Sequence, residues 1–196
     1  MSRLRQLPPD EWDEDLKTAL KPEVATPLEQ GLMRFFAHRP ELVKGMLPFA
    51  GALKTERTLP DRLIELVRLR VAYFNQCRSC MAIRYTDAID DGLDEDVVCS
   101  LEHPADADNL TPAEKAAIKY GELLATDHLR IDDDVYDELR QHFTEPEIVE
   151  LGMQAAFFVG FGRLAATYHM VEELPQAFQG EGDRPTPWNQ ASIQVR

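Results

Sequence analysis

Signals for the start of an α-helix recur along the whole chain. Thr111-Pro112-Ala113-Glu114 and Thr144-Glu145-Pro146-Glu147 both have the Thr-x-x-Glu form of a capping box, in which the two side chains satisfy free N–H groups of the first turn. Thr26-Pro27 fits an N-cap followed by the first helical position. Alternating runs bounded by Asn-Gly or Asp-Gly, which would indicate β-hairpins, are lacking from the sequence. The chain is therefore predicted to be an all-α protein.

Together these signals predict a series of helices. Leu59-Pro60-Asp61 opens the most periodic one, in which Glu65 lies beside a stripe of apolar residues. The next helix is predicted to begin at Cys77 and to end before Gly92, because glycine tolerates the left-handed conformation that is common just past helix ends. The predicted segments are 27–37, 40–54, 61–75, 77–91, 112–126, 133–142 and 145–169.

The length of 196 residues allows one sizeable core. We expect one helical domain over 26–174, with an N-terminal extension over 1–25 and a tail over 175–196, where the composition shifts to Gln, Gly, Pro and charge. The last long helix is apolar almost all round from Met153 to Phe161. It is either the central helix of the domain or packs against another subunit as well, so a homo-oligomer is one of two open interpretations.

Charge and hydropathy narrow the choice of partners. A formal net charge of −14 repels phosphate and anionic lipid, so no nucleic-acid partner is predicted. No apolar run approaches the roughly 20 residues that span a bilayer, so no membrane insertion is predicted. The first residues lack the apolar core and cleavage site of a secretory signal, which predicts a cytoplasmic location. In that compartment a purely structural disulfide would be kept reduced.

Two of the three cysteines, Cys77 and Cys80, are separated by two residues, and Glu65 lies twelve residues before Cys77. A pair with this spacing closes a disulfide with little backbone movement, and the start of a helix favours a thiolate. Redox chemistry is the leading interpretation, and burial as two small apolar residues is the alternative. Structural zinc usually needs four ligands, and the sequence has no second Cys-x-x-Cys or suitable His pair. No metal or other cofactor is predicted.

The chain resembles the carboxymuconolactone decarboxylase superfamily in four features: Glu65, the Cys77–Cys80 pair, Leu110–Ala116 and Glu147–Leu151. The similarity is closest to the alkylhydroperoxidase D-like branch and covers approximately 28–173. The resemblance implies an all-helical bundle, usually assembled as trimers or hexamers, that reduces organic hydroperoxides. It also implies that Cys80 is the attacking thiol, that Cys77 resolves the intermediate as a disulfide, and that Glu65 belongs to a proton relay.

The chain departs from the family pattern at two positions where the relay histidines are expected, which here hold Ser79 and Arg84. Arg84 lies four residues after Cys80 and is predicted to share its helical face, where its charge would lower the pKa of the thiol, although arginine is too basic to shuttle a proton. Arg84 could instead pair with Glu65. The proton for a leaving alkoxide would come from Glu65, Tyr85 or water, with packing as the expected use of the Tyr85 ring.

Three functions are compatible with the sequence. The first is a thiol-dependent peroxidase or disulfide oxidoreductase that acts on a small hydroperoxide, is recycled by an unidentified thiol donor, and uses Cys80, Cys77, Glu65 and Arg84. The second is a lyase of the carboxymuconolactone decarboxylase type, against which the cysteine pair argues. The third is a non-enzymatic, redox-sensing helical oligomer. The sequence favours the first.

Overall fold

The computed structural model describes residues 1–180, 184–188 and 192–195. As predicted, the fold is an all-α bundle: the described residues form twelve α-helices and one pair of short strands. Part of the predicted tail, namely residues 181–183, 189–191 and 196, lies outside the described residues. In order, the elements are α1 (Glu14–Leu20), α2 (Pro27–Gln30), α3 (Met33–Phe36), α4 (Pro40–Thr55), α5 (Asp61–Asn75), α6 (Arg78–Ala82), β1 (Ile83–Tyr85), α7 (Thr86–Asp90), α8 (Glu95–Cys99), α9 (Pro112–Thr126), α10 (Asp133–Arg140), α11 (Glu145–Tyr168), α12 (Gln176–Gln179) and β2 (Ile193–Val195).

The capping boxes form as the sequence predicts. The amide of Thr111 donates to the Glu114 carboxylate at 2.7 Å, and the amide of Glu114 donates back to the Thr111 hydroxyl at 3.2 Å. The amide of Thr144 likewise donates to the Glu147 carboxylate at 2.7 Å. Gly92 follows α7 with a φ of +87°, which is the left-handed conformation expected of it. Each box supplies partners for N–H groups that a helix start leaves free.

The central helix is α5, which packs against both α9 and α11. Leu66, Val67, Leu69 and Val71 on α5 are fully buried, because both of its flanks are covered. The sequence predicted that helix α11 is either the central helix or one that also packs against another subunit. In the structure, α11 buries one side only. The expectation that no segment is long and apolar enough to span a bilayer is wrong for α11, whose 24 residues meet that criterion by length and composition; core helices of soluble proteins meet it as well.

The predicted helix over 77–91 is wrong, because three elements occupy this stretch. Helix α6 ends at Ala82, β1 follows, and α7 begins at Thr86. Strand β1 pairs in parallel with β2, with Ile83 opposite Ile193 and Tyr85 opposite Val195. The extended backbone receives hydrogen bonds from a partner strand more than a hundred residues away, which the helical spacing of the local sequence does not reveal. The predicted helix over 27–37 is also divided, into α2 and α3.

Candidate redox site

A cavity of about 450 Å³ lies between α4, α5 and α11, and residues of α6 and β1 complete its wall. Most of the lining is apolar, and three phenylalanines of α11 supply much of it. Cavities of this size hold small organic molecules. The apolar lining includes Leu28, Leu32, Met33, Leu53, Ile64, Phe157, Phe158, Phe161 and Met170.

Cys77 and Cys80 form a disulfide with their Cα atoms 5.2 Å apart. Cys77 is the N-cap of α6 and is fully buried, and its Sγ accepts a hydrogen bond of 3.4 Å from the amide of Cys80. Cys80 is partly exposed and lines the cavity. The two sulfurs are therefore unequal, since one faces a space that a substrate can enter and the other lies behind it.

Glu65 and Arg68 form a buried, bidentate ion pair one turn apart on α5. The Nε and Nη2 atoms of Arg68 each donate to a Glu65 carboxylate oxygen at 2.6 Å, and the two side chains are 3% and 8% exposed. Burial opposes the charge of Arg68, but the Glu65 carboxylate holds the pKa of the guanidinium above its ordinary value. Glu65 is thus fixed as an ion-pair partner at the wall of the cavity.

Arg68 also joins α5 to the segment that carries the cysteines. Its Nη1 donates to the carbonyl of Cys80 at 2.6 Å, and its Nη2 donates to the carbonyl of Ile83 at 3.0 Å. A positive charge is therefore anchored next to the partly exposed cysteine. Arg68 is not among the predicted site residues, although its spacing of three residues from Glu65 is one at which helical side chains pair.

Arg84 does not occupy the position that was predicted for it. The expectation that it shares a helical face with Cys80 is wrong, because α6 ends at Ala82. The guanidinium is buried and pairs with Glu95, with Nε and Oε1 3.1 Å apart, and the predicted pair with Glu65 is not formed. It donates to the carbonyls of Met81 and Pro187 at 2.8 and 2.7 Å, and burial lowers its pKa. Within the described part of the chain, Arg84 does not line the cavity.

Tyr85 lies across Arg68, with the guanidinium carbon 5.1 Å from the ring centroid. Its amide donates to Glu65 Oε1 at 3.4 Å, and its side chain lines the cavity. The side chain is 37% exposed overall, but desolvation at the hydroxyl raises its pKa above the ordinary value for tyrosine. Ser79, at one of the missing histidine positions, also lines the cavity, and its hydroxyl lies 3.6 Å from Cys77 Sγ.

Charged side chains at the α4 end of the cavity are already paired. Lys54 and Asp87 form an ion pair of 2.7 Å, and Arg57 pairs with Asp61. Among the described residues, no histidine lines the cavity; His128, His142 and His169 all lie outside its lining. The described residues also contain no group of three His, Cys, Asp or Glu side chains that could hold a metal ion. The chemistry of this site therefore depends on the cysteines, the Glu65–Arg68 pair and Tyr85.

This combination defines a helical protein with a redox-capable cysteine pair in an apolar cavity. Residues 40–123 match the model of the carboxymuconolactone decarboxylase family. The chain is 35% identical over 103 residues to the uncharacterized protein Rv2313c of Mycobacterium tuberculosis, and 31% identical over 88 residues to the uncharacterized protein YdfG of Bacillus subtilis. These matches cover 53% and 44% of this chain, but 36% and 60% of the relatives' own lengths.

Two solved structures share the fold. One is the alkylhydroperoxidase AhpD core of an uncharacterized peroxidase-related protein from Ralstonia eutropha, with a TM-score of 0.70 and 19% identity, covering 91% of this chain and 94% of that one. The other is a protein of unknown function from Agrobacterium tumefaciens, a candidate AhpD protein of antioxidant defence, with a TM-score of 0.59 and 22% identity, covering 72% and 95%. The predicted resemblance to the carboxymuconolactone decarboxylase family is confirmed over the residues that match the family model, and the two solved structures show that the chain has the AhpD-like fold.

Proposed function

We propose that this protein is a thiol-dependent peroxidase that reduces organic hydroperoxides with the Cys77–Cys80 pair. The observation that carries the proposal is the inequality of the two sulfurs, since Cys80 lines an apolar cavity and Cys77 is buried behind it. The two proteins of the same fold are described as peroxidase-related and as a candidate in antioxidant defence, which supports the same class of chemistry.

The reaction begins from the reduced dithiol. The Cys80 thiolate attacks the terminal oxygen of the hydroperoxide, the O–O bond breaks, and Cys80 becomes a sulfenic acid while the substrate leaves as an alkoxide that takes up a proton. The Cys77 thiol then attacks the Cys80 sulfur, which forms the disulfide and releases water. Two electrons from an external dithiol donor return the pair to its reduced form. The alcohol, water and oxidised donor are the products.

Local charge supports formation of the thiolate at Cys80. The Arg68 guanidinium is bound to the carbonyl of Cys80 itself, which places a fixed positive charge beside the attacking residue. Helix α6 has only five residues, so its dipole is a minor contribution compared with the one expected from the predicted long helix. We therefore assign to Arg68 the electrostatic role that the sequence suggested for Arg84.

The test is stopped-flow mixing of the reduced protein with cumene hydroperoxide, followed by mass spectrometry. We expect rapid formation of the Cys77–Cys80 disulfide, which C80S abolishes. In C77S the reaction stops at a sulfenic acid that dimedone traps. C99S is the matched control, because Cys99 lies outside the cavity and forms no disulfide in the structure. A rate no faster than that of glutathione would contradict the proposal.

We further propose that the protein is a homo-oligomer. The outer face of α11 exposes Val149, Met153 and Leu164, which recur at helical spacing, and α4 exposes Leu42 and Phe49. The rings of Phe49 on α4 and Phe157 on α11 lie 6.2 Å apart, so the two helices are in contact near these exposed residues. Exposed apolar side chains that form a patch usually mark an interface. A second copy of the chain would cover it, in keeping with the assemblies that the family resemblance implies.

A further inference from the structure

The proposed peroxidase reaction requires an acid, and this chain lacks the two histidines that the family pattern places near the cysteines. When the O–O bond breaks, the departing alkoxide must gain a proton, and both relay histidines are replaced. Both carboxylate oxygens of Glu65 accept hydrogen bonds of 2.6 Å from Arg68, so the group is engaged as an acceptor. The source of this proton has to be sought among the other groups that line the cavity.

Most of the charged groups of the lining are unsuitable as proton donors. Guanidinium groups are too basic to release a proton near neutrality, and carboxyl groups are ordinarily ionised there. Lys54 is held by Asp87 in an ion pair of 2.7 Å. Glu29 of α2 accepts a hydrogen bond of 2.8 Å from the amide of Thr26 in the capping box of that helix. The charged groups of the lining are Glu29 from α2, Lys54 and Arg57 from α4 and the following turn, Asp61, Glu65 and Arg68 from α5, and Asp87 from α7.

Tyr85 differs from all of these groups. Its ring lies over Arg68, and the same guanidinium holds the carbonyl of Cys80, so one side chain connects the tyrosine with the attacking cysteine. Among the described residues, no hydrogen-bond partner occupies the Tyr85 hydroxyl. Desolvation raises the pKa of the phenol, which keeps it protonated near neutral pH. Tyr85 is thus a neutral O–H donor among the residues that line the cavity, and its hydroxyl has no hydrogen-bond partner within the described part of the chain.

We propose that Tyr85 is a catalytic residue that donates its hydroxyl proton to the alkoxide leaving from the substrate. This inference rests on the proposed peroxidase function. The proton passes from the phenol to the alkoxide and yields the alcohol, while Tyr85 becomes a phenolate. The Arg68 guanidinium, 5.1 Å from the ring centroid, stabilises this transient anion until water returns a proton to it. The cysteines carry all of the electron transfer, so Tyr85 is neither oxidised nor reduced.

Y85F tests this role, with two substrates that differ in their need for a proton. The leaving group of cumene hydroperoxide is a basic alkoxide, which needs a proton. The leaving group of meta-chloroperoxybenzoic acid is a carboxylate, which needs none. We expect Y85F to slow disulfide formation with cumene hydroperoxide by about 100-fold, as is typical for loss of a general acid. The rate with the peracid should stay close to that of the wild type. Y73F is the matched control, because Tyr73 packs against Trp188 and does not line the cavity.

The possible outcomes separate this inference from the proposed function. An equal loss with both substrates would show that Tyr85 is structural, and no loss with cumene hydroperoxide would show that it is not the acid. Either result overturns the inference while the peroxidase function stands. If the wild type reduces neither substrate faster than a free thiol does, the function fails and the role of Tyr85 fails with it. Thermal unfolding and the alkylation rate of Cys80 in Y85F check that the fold and the thiol are intact.

Discussion

At the scale of single residues, the Glu65–Arg68 pair stabilises the site because both charges are buried and fully engaged. R68M would leave the Glu65 carboxylate buried without its counter-charge, and we expect it to lower the free energy of unfolding by about 3–5 kcal/mol. The double variant E65L/R68M removes both charges and should recover most of this loss. Urea unfolding of the reduced proteins measures the difference. A single variant as stable as the wild type would show that the pair contributes nothing.

The residues of the site were predictable where they belong to the sequence motif itself. Cys77, Cys80 and Glu65 follow from spacing and family resemblance. The structure places Cys80 and Glu65 in the lining of one cavity, with Cys77 bonded to Cys80. The replacement of Arg84 by Arg68 was not predictable in the same way. Arg84 lies four residues from Cys80 in sequence, but the helix ends between them, and only the tertiary fold shows which arginine reaches the cavity.

At the scale of elements, α5 and α11 approach closely at Gly162. A methyl group built on Gly162 would lie 2.7 Å from Asn75 Nδ2, which donates to the carbonyl of Phe158 at 3.0 Å. G162A should therefore displace Asn75 and lower the free energy of unfolding by about 1–3 kcal/mol. G160A is the matched control on the same helix. Nothing lies within 4 Å of a methyl group there, so we expect stabilisation of about 0.5–1 kcal/mol.

Thermal or urea unfolding of the two glycine variants distinguishes packing from helix propensity. If both variants are stabilised, Asn75 has room to move and the close approach is unimportant. If both are destabilised, α11 carries a constraint along its outer face that a second subunit would explain.

Whole helices were predictable from their starts, since capping boxes at Thr111 and Thr144 are local signals. The break between α6 and α7 was not, because β1 is stabilised by β2 and by the buried Arg84, both of which depend on distant residues. Likewise, the apolar composition of α11 did not reveal which side faces the core. The side of α11 that is buried is the one that packs against α5, and the position of α5 relative to α11 cannot be predicted from the sequence.

At the scale of the whole molecule, the exposed apolar face of α11 predicts self-association. M153K places a charge in that face, and we expect it to reduce the assembly to smaller species in sedimentation velocity experiments. L129K is the matched control, since Leu129 is 84% exposed outside α4 and α11, and the substitution changes net charge equally. A wild-type protein that sediments as a monomer at all concentrations would contradict the proposal. Loss of assembly in both variants would point to a general charge effect.

The pairing of β1 with β2 also bears on how the protein is made. Thr86 and Val195, whose hydroxyl and carbonyl are hydrogen-bonded, are 109 residues apart in the chain. At a synthesis rate of about 5–20 residues per second, the cysteines leave the ribosome roughly 5–20 s before the strand that completes their surroundings. During every round of translation the thiols therefore pass through an interval without Val195 at the cavity wall. A reducing compartment would protect the thiols of the nascent chain until Val195 reaches the cavity wall.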